Sequence, residues 1–105
     1  MTVKLVVLYT QPDDPDAFEM HYREQHMPLA RAIPGVQRVD TGRIIAEADG
    51  GDPFWYRITE LYFADRAALD AGLASPEAQA ATADYAKIAP PGSRLLVQSL
   101  DDQTD

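Results

Sequence analysis

The segment FWYRITELYF, residues 54–63, is aromatic and β-branched along nearly its whole length, which makes it the clearest strand in the chain. Immediately upstream, ADGGDP at 48–53 has the composition of a turn, and Val36 to Glu47 before it reads as a partner strand in which Gly42 marks a bulge. The two strands therefore form an antiparallel hairpin. Further out, Val3 to Thr10 is a third, apolar strand closed by QPDDPD. Asp14 then caps a helix that has Pro15 at its first position, and IPGV at 33–36 ends the helical region. Downstream, Asp65 caps a short helix carrying Leu69 and Leu73. SPE at 75–77 starts an Ala-rich helix that runs to about Ala89, and PPG at 90–92 breaks it before a last strand, Leu95 to Leu100. The order is β-α-β-β-α-β, which predicts an α+β, ferredoxin-like domain with a four-stranded antiparallel sheet. The domain spans 1–100, and residues 101–105, DDQTD, form a disordered acidic tail.

In such a fold both helices cover one face of the sheet, so the other face should show polar residues if it meets water. It does not. The first strand sets Val3, Leu5, Val7 and Tyr9 against Val6 and Leu8, the third sets Trp55, Leu61 and Phe63 against Tyr56, Ile58 and Tyr62, and the last sets Leu95 and Val97 against Leu96 and Leu100. A second copy of the sheet is the simplest cover, giving a homodimer whose sheets pack into an α/β barrel.

The composition narrows the possible functions. With 105 residues, 17 acidic against 9 basic side chains and a net charge of −8, the chain should repel nucleic acid and anionic membrane surfaces. It has no cysteine, hence no disulfide, thiolate nucleophile or Cys-ligated metal. No apolar run approaches a membrane span and the start lacks a signal-peptide cleavage pattern, so the expected location is the cytoplasm.

Both histidines lie in HYREQHMPLARAIPG, residues 21–35. On an ideal helix Phe18, Tyr22, His26, Leu29 and Ile33 share an arc of about 80°, which puts His26 on the core-facing stripe, with His21 about 140° away. That separation argues against a metal gripped by the pair. Pro28 cannot donate to the carbonyl of Glu24 and should break or kink the helix beside His26. Two roles then stand open. His26 is a core histidine held by a freed carbonyl, or its imidazole projects into a cavity with Tyr22 as hydrogen-bond partner. Glu60 on strand three is either buried and raised in pKa or paired with Arg43 or Arg57.

Two stretches, FEMHYREQHMPLARAIPGV and ELYFADRAALDAGLASPEAQAATADYAKIAPPGSRLLV, resemble the EthD family of small proteins, the best markers being HMPL at His26 to Leu29, PG at Pro34 and Gly35, and ASPE at Ala74 to Glu77. The resemblance implies a dimeric α/β barrel related to cofactor-free monooxygenases, muconolactone isomerases and decarboxylases. It points to His26 as the functional histidine, and it departs from relatives at Tyr62, where tryptophan is common. The expected function is a small-molecule enzyme, working without metal or organic cofactor, of monooxygenase/oxidoreductase, isomerase or decarboxylase type. Its substrate would be aromatic or polyketide-like, with His26 as acid/base, Tyr22 orienting it, and Phe18, Tyr9, Glu60, Tyr62 and Tyr85 around the substrate. The alternative is a non-catalytic protein that carries a hydrophobic ligand in a catabolic or biosynthetic pathway. A third reading has His26 as an axial haem ligand.

Overall fold

The computed structural model describes residues 1–101, so of the tail read as disordered, residues 102–105 lie outside the described residues. Four strands, β1 (Val3–Thr10), β2 (Arg38–Arg43), β3 (Trp55–Phe63) and β4 (Arg94–Ser99), form one antiparallel sheet in the order β2-β3-β1-β4. This is the ferredoxin-like arrangement. One helical stretch, α1 (Pro15–His21), a π-helical turn (Tyr22–His26) and α2 (Met27–Arg31), joins β1 to β2, and α3 (Arg66–Leu73) and α4 (Pro76–Ile88) join β3 to β4. The three caps sit at the expected places: Asp14 accepts from the Ala17 amide at 3.1 Å, Asp65 from Ala68 at 2.8 Å and Ser75 from Ala78 at 3.1 Å.

Three sequence expectations need correction. The β2 strand is shorter than Val36 to Glu47, and its register with β3 runs unbroken through Gly42, so no bulge forms there. The irregularity lies instead on β3. Tyr9 pairs with Arg57 and Thr10 with Trp55, leaving Tyr56 as the extra residue, so Tyr56 joins Arg57 on the helix side and bonds to Glu19 of α1. Pro28 does not end the helix, because the wide turn before it absorbs the missing hydrogen bond and Pro28 enters α2 near its start, where a lost N–H is harmless.

Between helices and sheet the core is formed by Val3, Val7, Tyr9, Phe18, Tyr22, Leu61, Phe63 and Leu69, with Ala78 and Ala81 from α4. Gly35, at φ 88°, makes the turn from α2 toward β2 in a conformation that residues with a Cβ rarely adopt. Strand β4 is an edge, with every residue exposed, and Leu95, Leu96 and Val97 are each close to half exposed. Among the described residues no helix is long and apolar enough to cross a membrane.

Candidate active site

The site begins with the π turn. In it the backbone N–H of Met27 donates to the carbonyl of Tyr22, five residues back instead of four. A residue pair five apart, splayed on an α-helix, is brought to one side by this wider turn. His21 and His26 consequently reach the same acceptor on α4. The Nε2 of His21 lies 2.8 Å from Asp84 Oδ1, and the Nδ1 of His26 lies 2.8 Å from Asp84 Oδ2.

Asp84 and His26 are both buried, at 7 % and 6 % exposure. An ionised carboxylate has only acceptors, so both imidazoles donate to it. For His26 this fixes the neutral ring as the Nδ1–H tautomer and leaves the lone pair on Nε2. Burial lowers the His26 pKa from 6.5, with the His21 charge acting the same way, and the Asp84 hydrogen bond and charge oppose the fall without cancelling it. The ring is thus neutral at pH 7 and can take a proton. Burial acts to raise the Asp84 pKa, but the hydrogen bonds from His21 and His26 outweigh it and hold the carboxyl below its ordinary 3.8.

His26 lines a cavity between α2, α4 and the sheet whose walls include Tyr9, Thr59 and Leu61 from the strands and Ala81 and Tyr85 from α4. Its volume is about 40 Å³, and it is open to solvent, with Leu73 and Leu95, both at least one-third exposed, among its lining. The lining is apolar apart from His26, three hydroxyl-bearing tyrosine and threonine positions on the walls, and Thr82. Burial pushes the phenols of Tyr9 and Tyr85 up, so both stay protonated at neutral pH.

Tyr22 does not hydrogen-bond His26, as the sequence led one to expect. It stacks on the imidazole, with ring centroids 5.9 Å apart at 27°, while its hydroxyl sits 2.6 Å from Thr41 Oγ1 and also bonds Thr59 Oγ1. Arg57 Nη1 donates to Thr41 Oγ1 at 3.1 Å, and its guanidinium lies 4.6 Å from the Tyr22 ring centroid. Phe18 stands behind the wall, against Tyr9 and Tyr22.

Glu60 and Tyr62 are elsewhere. The pleat turns both to the sheet face away from the helices, where Lys4 pairs with Glu60 and Tyr62 donates to Asp40 at 3.0 Å. Glu60 is paired as the structural reading held, but with Lys4. Arg57 and Arg43 lie across from each other on the helix face, and there Arg57 binds Glu19 at 2.5 Å. Of the residues expected around a substrate, Tyr9 and Tyr85 line the His26 cavity, Phe18 backs it, and Glu60 and Tyr62 cannot reach it.

Asp84 is the residue that sequence reasoning overlooked. Its only trace is position, since it follows Ala81 by three residues on the side of α4 that buries Ala78 and Ala81. Among the described residues no group of three or more His, Cys, Asp and Glu side chains is arranged to hold a metal ion.

Comparison with known proteins places the chain in a family. Residues 11–92 match the model of the EthD domain. A protein of Rhodococcus erythropolis, described as an uncharacterized 11.0 kDa protein in the thcB-thcC intergenic region, is 39% identical over 93 residues, covering 89% of each chain. The crystal structure of an ethyl tert-butyl ether degradation (EthD) family protein from Bacillus halodurans superposes with a TM-score of 0.90 at 34% identity, over 96% of this chain and all of that one. At 12% identity the fold is shared with the hydroxynitrile lyase of Passiflora edulis, with a TM-score of 0.77 over 99% of this chain and 97% of the other.

Proposed function

The chain belongs to the EthD family, and for this member we propose proton-transfer catalysis on a small, largely apolar carbonyl compound or phenol, with Nε2 of His26 as the base. The observation that carries it is the buried His26–Asp84 pair, which leaves a lone pair on Nε2 of a ring that lines a largely apolar cavity. That the same fold serves the Passiflora edulis lyase supports an enzyme over a passive carrier.

A substrate carbon bearing an acidic hydrogen, held against Nε2, gives up its proton to the ring. The C–H pair stays on the substrate as an enolate and the imidazolium that forms keeps its Nδ1–H on Asp84, whose charge offsets the new one. Oxygen of the enolate needs a donor. Arg57 donates to Thr41, and the Thr41, Tyr22 and Thr59 hydroxyls hydrogen-bond one another in a triangle, so a Thr41-to-Tyr22-to-Thr59 arrangement of their protons is open to it and frees the Thr59 proton, on the cavity wall, for an incoming oxygen. Return of the proton from Nε2 to the same carbon gives exchange, and return to another atom of the delocalised anion gives isomerisation. Either outcome is balanced without a co-reactant. An apolar cavity that holds benzene measures about 150 Å³, so a substituted ring must extend out through the side open to solvent.

The working unit in this reading is a homodimer. Val6, Leu8, Ile58 and Leu96 lie on the face of the sheet that no helix covers, at best half-buried within one chain. A two-fold copy laid on that face would bury about 800 Å² per partner, the usual size of a specific interface. It would leave both His26 cavities on the helix sides.

The test is deuterium uptake from heavy water into acetophenone and a panel of 1,3-diketones, followed by proton NMR. The chain is expected to speed exchange over buffer, with His26→Ala slower by about 10² or more. Exchange no faster than buffer across the panel, or equal rates in His26→Ala, would remove the base.

A further inference from the structure

A second concavity lies behind Tyr22, on the far side from His26. It is a groove of about 320 Å³ between the first helical stretch and the edge strand β2, and Arg23, Arg31, Arg57, Thr41, Tyr22 and Glu19 face it. Its charge is unlike that of the chain as a whole. The protein carries a net charge of −8, yet this groove gathers three of its arginines against one carboxylate. The helix explains how. Glu19 on α1, Arg23 in the π turn and Met27 and Arg31 on α2 all line it, so the one helical stretch presents them along the groove.

Arg57 is the floor. Its side chain is only 10% exposed and is fixed on two sides, Nη2 and Nε on the Glu19 carboxylate at 2.5 and 3.3 Å and Nη1 on Thr41 at 3.1 Å. A guanidinium has five N–H donors. These bonds use three of them, so two have no acceptor among the described residues. Arg23 and Arg31 are exposed at the rim and make no ion pair among the described residues, in contrast to Arg38 and Arg66, which each hold an aspartate at 3.0 Å. In a chain rich in carboxylates, two arginines left unpaired on the walls of a groove floored by a third are an oxyanion receptor in charge and in donor geometry. Glu19 does not spoil it, because Arg57 and Tyr56 already occupy its two oxygens and hold it ionised against burial.

We propose that this groove binds a small oxyanion, a phosphate or carboxylate group, held by Arg23 and Arg31 from the helix and by Arg57 beneath. The groove opens away from the His26 cavity and shares Arg57, Thr41 and Tyr22 with the hydroxyl network behind it, but binding there does not require catalysis at His26.

Binding is read without any activity, by calorimetric titration of the chain with inorganic phosphate at low salt, and in a second arm with benzoate. Phosphate is expected to bind, and the double variant Arg23→Gln/Arg31→Gln to weaken it at least about tenfold, the loss of one charge-assisted hydrogen bond or more. Arg66→Gln, which removes an exposed arginine far along the chain, is the control and should bind as the parent does. Both substitutions in the double variant are at exposed positions, and circular dichroism confirms its fold. Tighter binding of benzoate than of phosphate would assign the groove to a carboxylate, and the reverse to a phosphate. No heat with either anion, or the same affinity in the double variant as in Arg66→Gln, would overturn the proposal.

Discussion

Asp84→Asn tests the centre of the site because it keeps the shape of the side chain and removes its charge. The two imidazoles are each 2.8 Å from a separate oxygen of Asp84. An amide offers one oxygen and one donor nitrogen, so one of the two histidines must turn, change tautomer or lose its bond. For His26 the loss is a hydrogen bond to a charged, buried acceptor, typically about 1.5–3 kcal/mol. The charge of Asp84 also favours the protonated ring over the neutral one, so its removal moves the His26 pKa. The sign is downward, since Asp84 is the group that raises the His26 pKa against burial. His26 in Asp84→Asn should therefore titrate below its position in the parent, and nitrogen-15 NMR of the ring should show the Nδ1–H tautomer giving way. Proton exchange should fall by about 10² or more, because a base with the wrong tautomer presents N–H to the substrate. An unchanged or raised His26 titration, with the tautomer intact, would refute the claim that Asp84 sets the state of this ring.

Three further outcomes are expected. Gly72→Ala should destabilise the fold by more than about 1 kcal/mol in denaturant melts despite the better helix propensity of Ala, because a Cβ there would stand 2.6 Å from the Pro34 carbonyl and 3.0 Å from Phe63. Stability should be full above about pH 6.5 and decline as pH falls through the lower folded pKa of His26, since the unfolded histidine takes the proton first. A second decline should follow below 3.8 as Asp84, whose folded pKa is depressed, is protonated, and His26→Gln should remove the first step in pH-dependent melts and leave the second. Light scattering at micromolar concentration should give twice the chain mass, and Leu96→Lys, at a position 47% exposed within one chain, should give the single mass if the open sheet face is the interface.

The architecture was legible because its signals are local. Asp14, Asp65 and Ser75 cap helices through their own side chains three residues on, and a strand such as 54–63 announces itself by residue type. Edges and bulges were less so. Nothing in the residues themselves says that Gly42 stays in register while Tyr56, a strong strand former, is the extra residue, because a bulge is decided by how two strands pair and not by either strand alone. The same holds for Glu60. Its partner Lys4 comes from β1, more than fifty positions away, and the choice of Lys4 over Arg57 depends on which way the pleat faces.

The site shows most plainly why spacing on an ideal helix can mislead. A separation of about 140° between His21 and His26 follows from about 100° per residue and is sound for an α-helix. Pro28 withholds the N–H that such a helix needs, and the chain answers by widening the turn from Tyr22 to His26 before it continues. The proline read as breaking or kinking the helix beside His26 thus acts as the device that gathers the two histidines. Once they point the same way, an acceptor with two oxygens is required opposite, and Asp84, on the buried side of a helix otherwise lined by alanine, has that form. A carboxylate there without both rings would be a buried charge lacking partners, costly by several kcal/mol. The π turn thus does for a five-residue spacing what an α-helical turn does for a four-residue one, and deleting one residue between His21 and His26 should restore an α-helical turn with both imidazoles still on the side that faces Asp84 and leave the sheet in place.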